Sequence, residues 1–205
     1  MTRKSTTQFA LLFAVLVGPA TVARPAEADD ARTLLEKAVN DVLAIAYDQP
    51  ANEQPLSQRV RPVLKRVFDL DYATRSAIGP GWRQFTPEQR TRAVDLFSEL
   101  VIRTYADRFE PGPRPTITYG RTITPADKRR EIPTTITYEG TDYAVSYKFR
   151  ETSEGWRIYD VVIENVSMIA NYRAQFDELF KKGGAREVLR ALEENLQKVD
   201  AGGGA

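Results

Sequence analysis

The sequence predicts an α+β fold: a curved antiparallel sheet of about four strands, wrapped by N- and C-terminal helices around an apolar pocket. Three observations predict it. Apolar residues recur at spacings of three and four from Asp30 to about Phe109. From Pro115 the period falls to two, and short turns separate the runs. After Ser167 the helical period returns.

The first helix is expected from Asp30 to Tyr47, with Leu34, Leu35, Ala38, Val39, Val42, Leu43 and Ala46 on one face. Asp29 or Asp30 can cap it. A polar loop, Gln49 to Pro55, precedes a second helix carrying Val60, Val63, Leu64, Val67 and Phe68. Pro62 belongs in a first turn, which puts the start of that helix at Arg61. Asp69 or Asp71 caps a short helix to Ile78, and Gly79-Pro80-Gly81 stops it before Trp82, which plugs the core. Thr86-Pro87-Glu88-Gln89 has the form of a capping box with Pro at the first helical position. The helix it opens carries Val94, Phe97, Val101 and Tyr105, and Pro111-Gly112-Pro113 ends it.

The strands follow. Ile117 and Tyr119 alternate with threonines. Ile132, Thr134, Ile136 and Tyr138 form one face of the next strand, and Tyr143, Val145, Tyr147 and Phe149 one face of the third. Turns at Glu139-Gly140-Thr141 and Thr152 to Gly155 make a meander. The fourth strand, from Trp156 to about Glu164, is apolar on both faces: Trp156, Ile158 and Val162 on one, Tyr159, Val161 and Ile163 on the other. Ser167 can cap a helix bearing Ile169, Tyr172, Phe176, Leu179 and Phe180. Gly183-Gly184 separates it from a last helix, Arg186 to Val199, and a Gly-rich tail, 201–205, is expected to be disordered.

The N-terminus reads as an export signal. Arg3 and Lys4 precede the apolar run Phe9 to Val17, Gly18-Pro19 breaks it, and Ala26-Glu27-Ala28 offers a cleavage site. The run is shorter than the roughly 20 apolar residues a membrane span needs. A cleaved signal over 1–28, one domain over 29–200 and a periplasmic location are the expectation. The chain has 29 Lys and Arg against 28 Asp and Glu, so no basic excess points to nucleic acid. It has no cysteine and no histidine, which excludes disulfides, His-based catalysis and the usual zinc sites.

Four blocks stand in a familiar order: FDLDYATRSAIGPGW (Phe68 to Trp82), TPEQR (Thr86 to Arg90), LFSELVIRTY (Leu96 to Tyr105) and GWRIYDVVIENVSMIANYRAQF (Gly155 to Phe176). With the Gly-Gly break and the last helix, the chain resembles the MlaC family of periplasmic phospholipid-transport proteins, also called the toluene-tolerance family. The likeness covers nearly the whole chain after the signal. One departure is Asn165, where the family usually has Gly, and Asn is the next most tolerant residue at positive φ. The resemblance implies a carrier that takes phospholipid between an outer-membrane lipoprotein complex and an inner-membrane ABC transporter with a substrate-binding ring, so maintaining outer-membrane lipid asymmetry. It also implies no cofactor and no catalysis. A shuttle works best as a monomer. Hopanoid-associated relatives look similar and keep that cargo open.

Candidate lipid-binding residues are the inward strand residues Val145, Tyr147 and Phe149, the strand residues Tyr159, Val161 and Ile163, the junction residues Val166, Met168 and Ile169, and Phe68, Ile78, Phe97, Val101 and Tyr105 from the helices. The competing reading of each is ordinary core, because a residue that fills a core and one that lines a cavity look alike in sequence. Arg173 and Arg83 can meet a phosphate or pair at the surface. Lys128-Arg129-Arg130 reads as a basic loop that steers toward an anionic surface or is merely solvated. Asp160 is the one carboxylate in the most apolar strand. It serves either as the buried base of an isomerase, with Tyr143 or Tyr147, or as one end of a salt bridge to Lys148 or Arg150. A ligand-free adaptor with a solid core is the third class that the pattern allows.

Overall fold

Asp29 accepts the Arg32 amide at 3.3 Å and so caps the first helix, α1 (Asp30–Leu43). The computed structural model describes residues 29–48, 54–106 and 112–201. The expected signal segment 1–28, most of the loop from Gln49, the end of the helix expected to reach Phe109 and residues 202–205 lie outside them. The helical run does continue to Asp48, but its last five residues, Ala44–Asp48, widen into a π turn. The Arg59 guanidinium donates to the Ile45 carbonyl within that turn.

The second helix, α2 (Leu56–Val67), starts earlier than Arg61, so Pro62 lies in its interior. Pro62 cannot donate to the Gln58 carbonyl. Both residues are exposed, so water serves that carbonyl and the helix tolerates the proline. Phe68 is extended and forms a parallel bridge with Ile158, and the Asp69 amide donates to the Ile158 carbonyl at 2.7 Å. The Asp69 carboxylate caps α3 (Leu70–Ile78) through the Tyr72 amide and pairs with Arg150. At the end of α3, Gly79 has φ +69°, and a Cβ there would lie 2.8 Å from the Arg173 guanidinium. That guanidinium donates from Nε to the Ser76 carbonyl at 2.8 Å, closing the helix end. The chain does not simply stop here but tightens into a 3₁₀ segment, Gly79–Gln84, and Trp82 stacks on Phe85 at 5.6 Å. The capping box forms: the Gln89 amide donates to Thr86 Oγ1 at 3.2 Å, and the Thr86 amide donates to Gln89 Oε1 at 2.9 Å. It opens α4 (Pro87–Ala106).

Five strands, rather than about four, make one antiparallel sheet in sequence order: β1 (Thr116–Tyr119), β2 (Arg129–Tyr138), β3 (Thr141–Thr152), β4 (Gly155–Ile163) and β5 (Val166–Ser167). The fifth is only two residues long, too short to show a period. Two sequence expectations change here. Arg129 and Arg130 are not loop residues but open β2. The Arg129 guanidinium lies 4.9 Å from the Tyr159 ring and donates to the Tyr72 hydroxyl at 3.1 Å, and Arg130 lies 4.7 Å from the Trp156 ring. In β4 the pairing passes from Lys148–Asp160 to Phe149–Ile158, which leaves Tyr159 as the extra residue of a bulge. The bulge moves Ile158 onto the same face as Val161 and Ile163. The turn into β5 holds Glu164 at φ +47° and Asn165 at φ +65°, and Asn tolerates that conformation.

Ser167 caps the last helix, α5 (Met168–Asp200), by accepting the Ala170 amide at 3.0 Å. Gly183 and Gly184 break α5 into two arms, Gly184 at φ +64°. Two apolar cores result. One packs α3, α4 and both arms of α5 around Phe97, Tyr172, Phe176, Val188 and Leu192. The other packs α1 and α2 on the inner sheet face around Leu35, Val67, Ile132, Phe149 and Ile158.

Asp160 joins the sheet to the helices. It is 4% exposed, and it accepts the Ser167 hydroxyl at 2.7 Å, the Ile169 amide at 3.1 Å and Lys148 Nζ at 3.5 Å. It shares a sheet face with Lys148, so Tyr143 and Tyr147 point to the other face and the isomerase pair is not assembled. Arg150 turns instead to Asp69. Removing this carboxylate strands a buried amide and hydroxyl, so Asp160→Ala is expected to cost about 2–4 kcal/mol. Urea unfolding followed by circular dichroism measures it, and a loss below about 1 kcal/mol refutes this structural role.

Candidate functional site

Between the inner sheet face and the helices lies a cavity of about 260 Å³. α1 contributes Leu35, Ala38, Val39, Val42 and Leu43, and its π turn contributes Ala46 and Tyr47. α2 and the linker after it add Val60, Leu64, Val67, Phe68 and Leu70; α4 adds Val101, Ile102, Tyr105 and Ala106. From the sheet side come Pro115, Ile117, Ile136, Val145, Tyr147, Ile158, Val161 and Ile163, and Met168 closes the end beside α5. The strand wall is largely β-branched and stiff at χ1, and it faces small residues such as Ala38 and Ala46. Neither wall reaches across, so space remains.

The chemistry of this lining is narrow. No lining residue carries a charge or an amide side chain, and the side-chain hydroxyls are those of Tyr47, Tyr105 and Tyr147. Burial pushes the Tyr147 phenol up to about 12. Burial also raises Tyr47, with Tyr138 adding to the rise and Arg114 opposing it. Such a surface favours alkyl chains and offers no base, nucleophile or metal ligand. Among the described residues no three potential metal ligands gather anywhere.

A second, more open cleft of about 670 Å³ adjoins the first at Phe68 and Leu70, which line both. It carries Lys65, Arg66, Arg150 and Arg157 against Asp69, Asp71, Asp95, Glu99 and Glu154. Much of that charge is paired internally: Arg150 with Asp69, Arg157 with Glu154 at 3.1 Å and Arg61 with Glu99.

Of the candidate residues, Phe68, Val101, Tyr105, Val145, Tyr147, Val161, Ile163 and Met168 come together on the cavity wall. The others do not. Ile78, Phe97 and Ile169 pack in the helical core, where α3, α4 and α5 meet, and Phe149 is fully buried in the sheet-side core. Tyr159 sits on the bulge, edge-on to the Tyr72 ring at 5.5 Å. Val166 pairs with Ile163 but is 59% exposed, because β5 is the sheet edge. Arg173 closes α3 rather than meeting a ligand, and Arg83 is exposed. The largest contribution missed by sequence reasoning is the whole inner face of α1. Its stripe was visible as an amphipathic helix, but nothing in a stripe tells cavity from core.

The sequence profile of the MlaC protein family matches residues 36–194. The chain belongs to the MlaC family. Every cavity residue except Leu35 falls within the matched segment. Among solved structures, a phospholipid-binding protein from Ralstonia solanacearum, determined in complex with a phospholipid at 1.53 Å resolution, superposes with a TM-score of 0.77. The two are 29% identical, over 83% of this chain and 98% of that one. No curated protein matches the sequence. For an MlaC protein the uncharged cavity and the charged cleft beside it are therefore the features to explain.

Tyr147 gives the cavity a pH signature. Its proton is held up to about pH 12 in the folded state, whereas an unfolded tyrosine loses it near 10. Between these values the folded state binds more protons, so stability falls as pH rises, by up to about 1.4 kcal/mol per pH unit. Below pH 10 the group contributes nothing to the slope. Tyr147→Phe keeps the ring and is expected to flatten the decline between pH 10 and 12; unfolding midpoints in urea at stepped pH measure it. An unchanged decline refutes the assignment.

Proposed function

We propose that this MlaC-family protein is a soluble periplasmic phospholipid carrier, and that its cargo's acyl tails occupy the cavity between the sheet and α1, α2 and α4. The observation that carries this reading is a lining with no charged side chain, built from both layers of the fold. The phospholipid bound to the Ralstonia solanacearum protein supports it. Phe68, Val101, Tyr105, Val145, Tyr147, Val161, Ile163 and Met168 are the tail contacts.

The energetics follow from the cargo. Two tails hold about 30 methylenes, and each costs about 0.8 kcal/mol to expose, roughly 25 kcal/mol in all. Release into water is therefore negligible. Transfer happens while the carrier is docked to a partner that receives the tails directly. The partners are an outer-membrane lipoprotein complex on one side and an inner-membrane ABC transporter with a substrate-binding ring on the other. A cavity of 260 Å³ lies below the range of about 300–1,000 Å³ typical of drug-sized ligands. The walls part to admit a two-tailed lipid, and the two cores, which meet at the cavity, are the bodies that separate.

The chain from residue 29, purified from periplasmic extract, is expected to show the mass of one or two phospholipids by native mass spectrometry, released only on unfolding. A hopanoid-like mass changes the cargo and keeps the carrier. A bare mass with no uptake from liposomes removes the reading. Filling the cavity with Val161→Trp is expected to cost about 1–3 kcal/mol of stability and to cut lipid content at least several-fold. A loaded, folded Trp variant counts against the cavity as the binding site. Val166→Glu, at an exposed position off the cavity wall, is expected to leave both the fold and the lipid content intact; a folded variant stripped of its lipid refutes this placement of the tails.

A further inference from the structure

The cavity runs out to the surface at one end of the sheet. Ile136 and Ile163 line it. Their directly paired neighbours across the ladder, Tyr143 and Val166, share that sheet face and are 43% and 59% exposed. They are two of the three large apolar side chains that the described residues leave exposed. An apolar wall that continues, one strand further, into exposed apolar side chains marks a mouth. It lies at the tip formed by the β2–β3 turn and the β4–β5 turn.

Among the described residues, the charges of the two turns are all acidic: Glu139 and Glu164 are exposed in the turns, and Asp142 is exposed at the start of β3, on the sheet face opposite Tyr143. Two of them also brace the turns: Asp142 accepts the Thr137 hydroxyl, and Glu164 accepts the Ala144 amide, each at 2.6 Å. Neither bond neutralises a carboxylate. Residues 136–147 and 161–167, which flank the two turns, contain no Lys or Arg. Arg114, two residues before β1, is paired with Asp48. Elsewhere the chain mixes its signs almost evenly.

We propose that this acidic tip is the handover face, and that it docks on a protein port whose apolar opening is ringed by Lys and Arg. The inference rests on the carrier reading and adds the surface and the partner's chemistry. Exposed Tyr143 and Val166 supply the apolar centre of the contact, and the carboxylates supply its rim and steer the encounter. The same charge repels an anionic bilayer, so the loaded carrier delivers to a protein and does not unload into lipid directly.

The test uses the full chain loaded with a fluorescent phospholipid. The acceptors are the inner-membrane transporter complex of the same organism in nanodiscs, and vesicles of phosphatidylglycerol as the bare anionic surface. Glu139→Lys with Asp142→Lys reverses the rim without touching the cavity. Glu178→Lys with Glu194→Lys makes the same charge change on exposed positions of α5. Transfer to the complex is expected to fall at least tenfold at about 50 mM salt in the tip variant alone, and to lose its decline with added salt. Unloading into the vesicles is expected to rise in that variant. Unchanged transfer, an equal loss in the α5 variant, or wild-type unloading into vesicles faster than into the complex overturns the proposal. A chain that carries no lipid fails at the loading step and removes the carrier reading itself; a loaded chain indifferent to its tip removes only the docking surface.

Discussion

The helices and the sheet are held together beside the cavity by a polar joint. The extended dipeptide Phe68-Asp69 lies against β4, with the Asp69 amide on the Ile158 carbonyl and the Asp69 carboxylate shared between the Tyr72 amide and Arg150. The two layers are thereby pinned by directional bonds at one edge. Apolar packing alone pulls opposing walls together until no space remains. A pinned edge resists that collapse and lets the far side stay apart. Phe68, on the same joint, is a wall of the cavity on one side and of the charged cleft on the other.

Asp160, two residues further along β4, does the corresponding work for α5. By accepting from Ser167 and Ile169 it sets the angle at which α5 leaves the sheet. A carboxylate in an apolar strand invited a catalytic reading. Its bonds to the helix start make it a brace, as the sheet face it occupies already requires. The two aspartates therefore tie the starts of α3 and α5 to the sheet with hydrogen bonds, and no charged group is needed in the cavity wall itself.

Much of this was legible in the sequence, for identifiable reasons. The capping box at Thr86 to Gln89 and the Ser167 cap are short-range devices, with donor and acceptor three residues apart, and both formed. β1, β2 and β3 kept their period of two, and β4 broke it at the Tyr159 bulge, which turned Ile158 to the face of Val161. Pro62 misled because its cost depends on whether the orphaned carbonyl meets water, which is a tertiary fact. Arg129 and Arg130 misled because a basic run says nothing of aromatic faces that fold back onto it. At the cavity, eight of the candidate residues met, whereas Phe97 and Phe149 became solid core. That division depends on how closely the opposing wall approaches, and periodicity does not encode it.

The bulge at Tyr159 has an evolutionary consequence. It lets Ile158 and Val161, three residues apart, both face the cavity. Deleting that single extra residue would leave Ile158 opposite Phe149 and Asp160 opposite Lys148 in plain alternation, so the lining would keep its parity. A one-residue change within the regular stretch from Asp160 to Ile163 would instead turn part of the strand over. β4 can therefore gain or lose one codon at the bulge, across lineages of this fold, with the greasy character of the pocket intact.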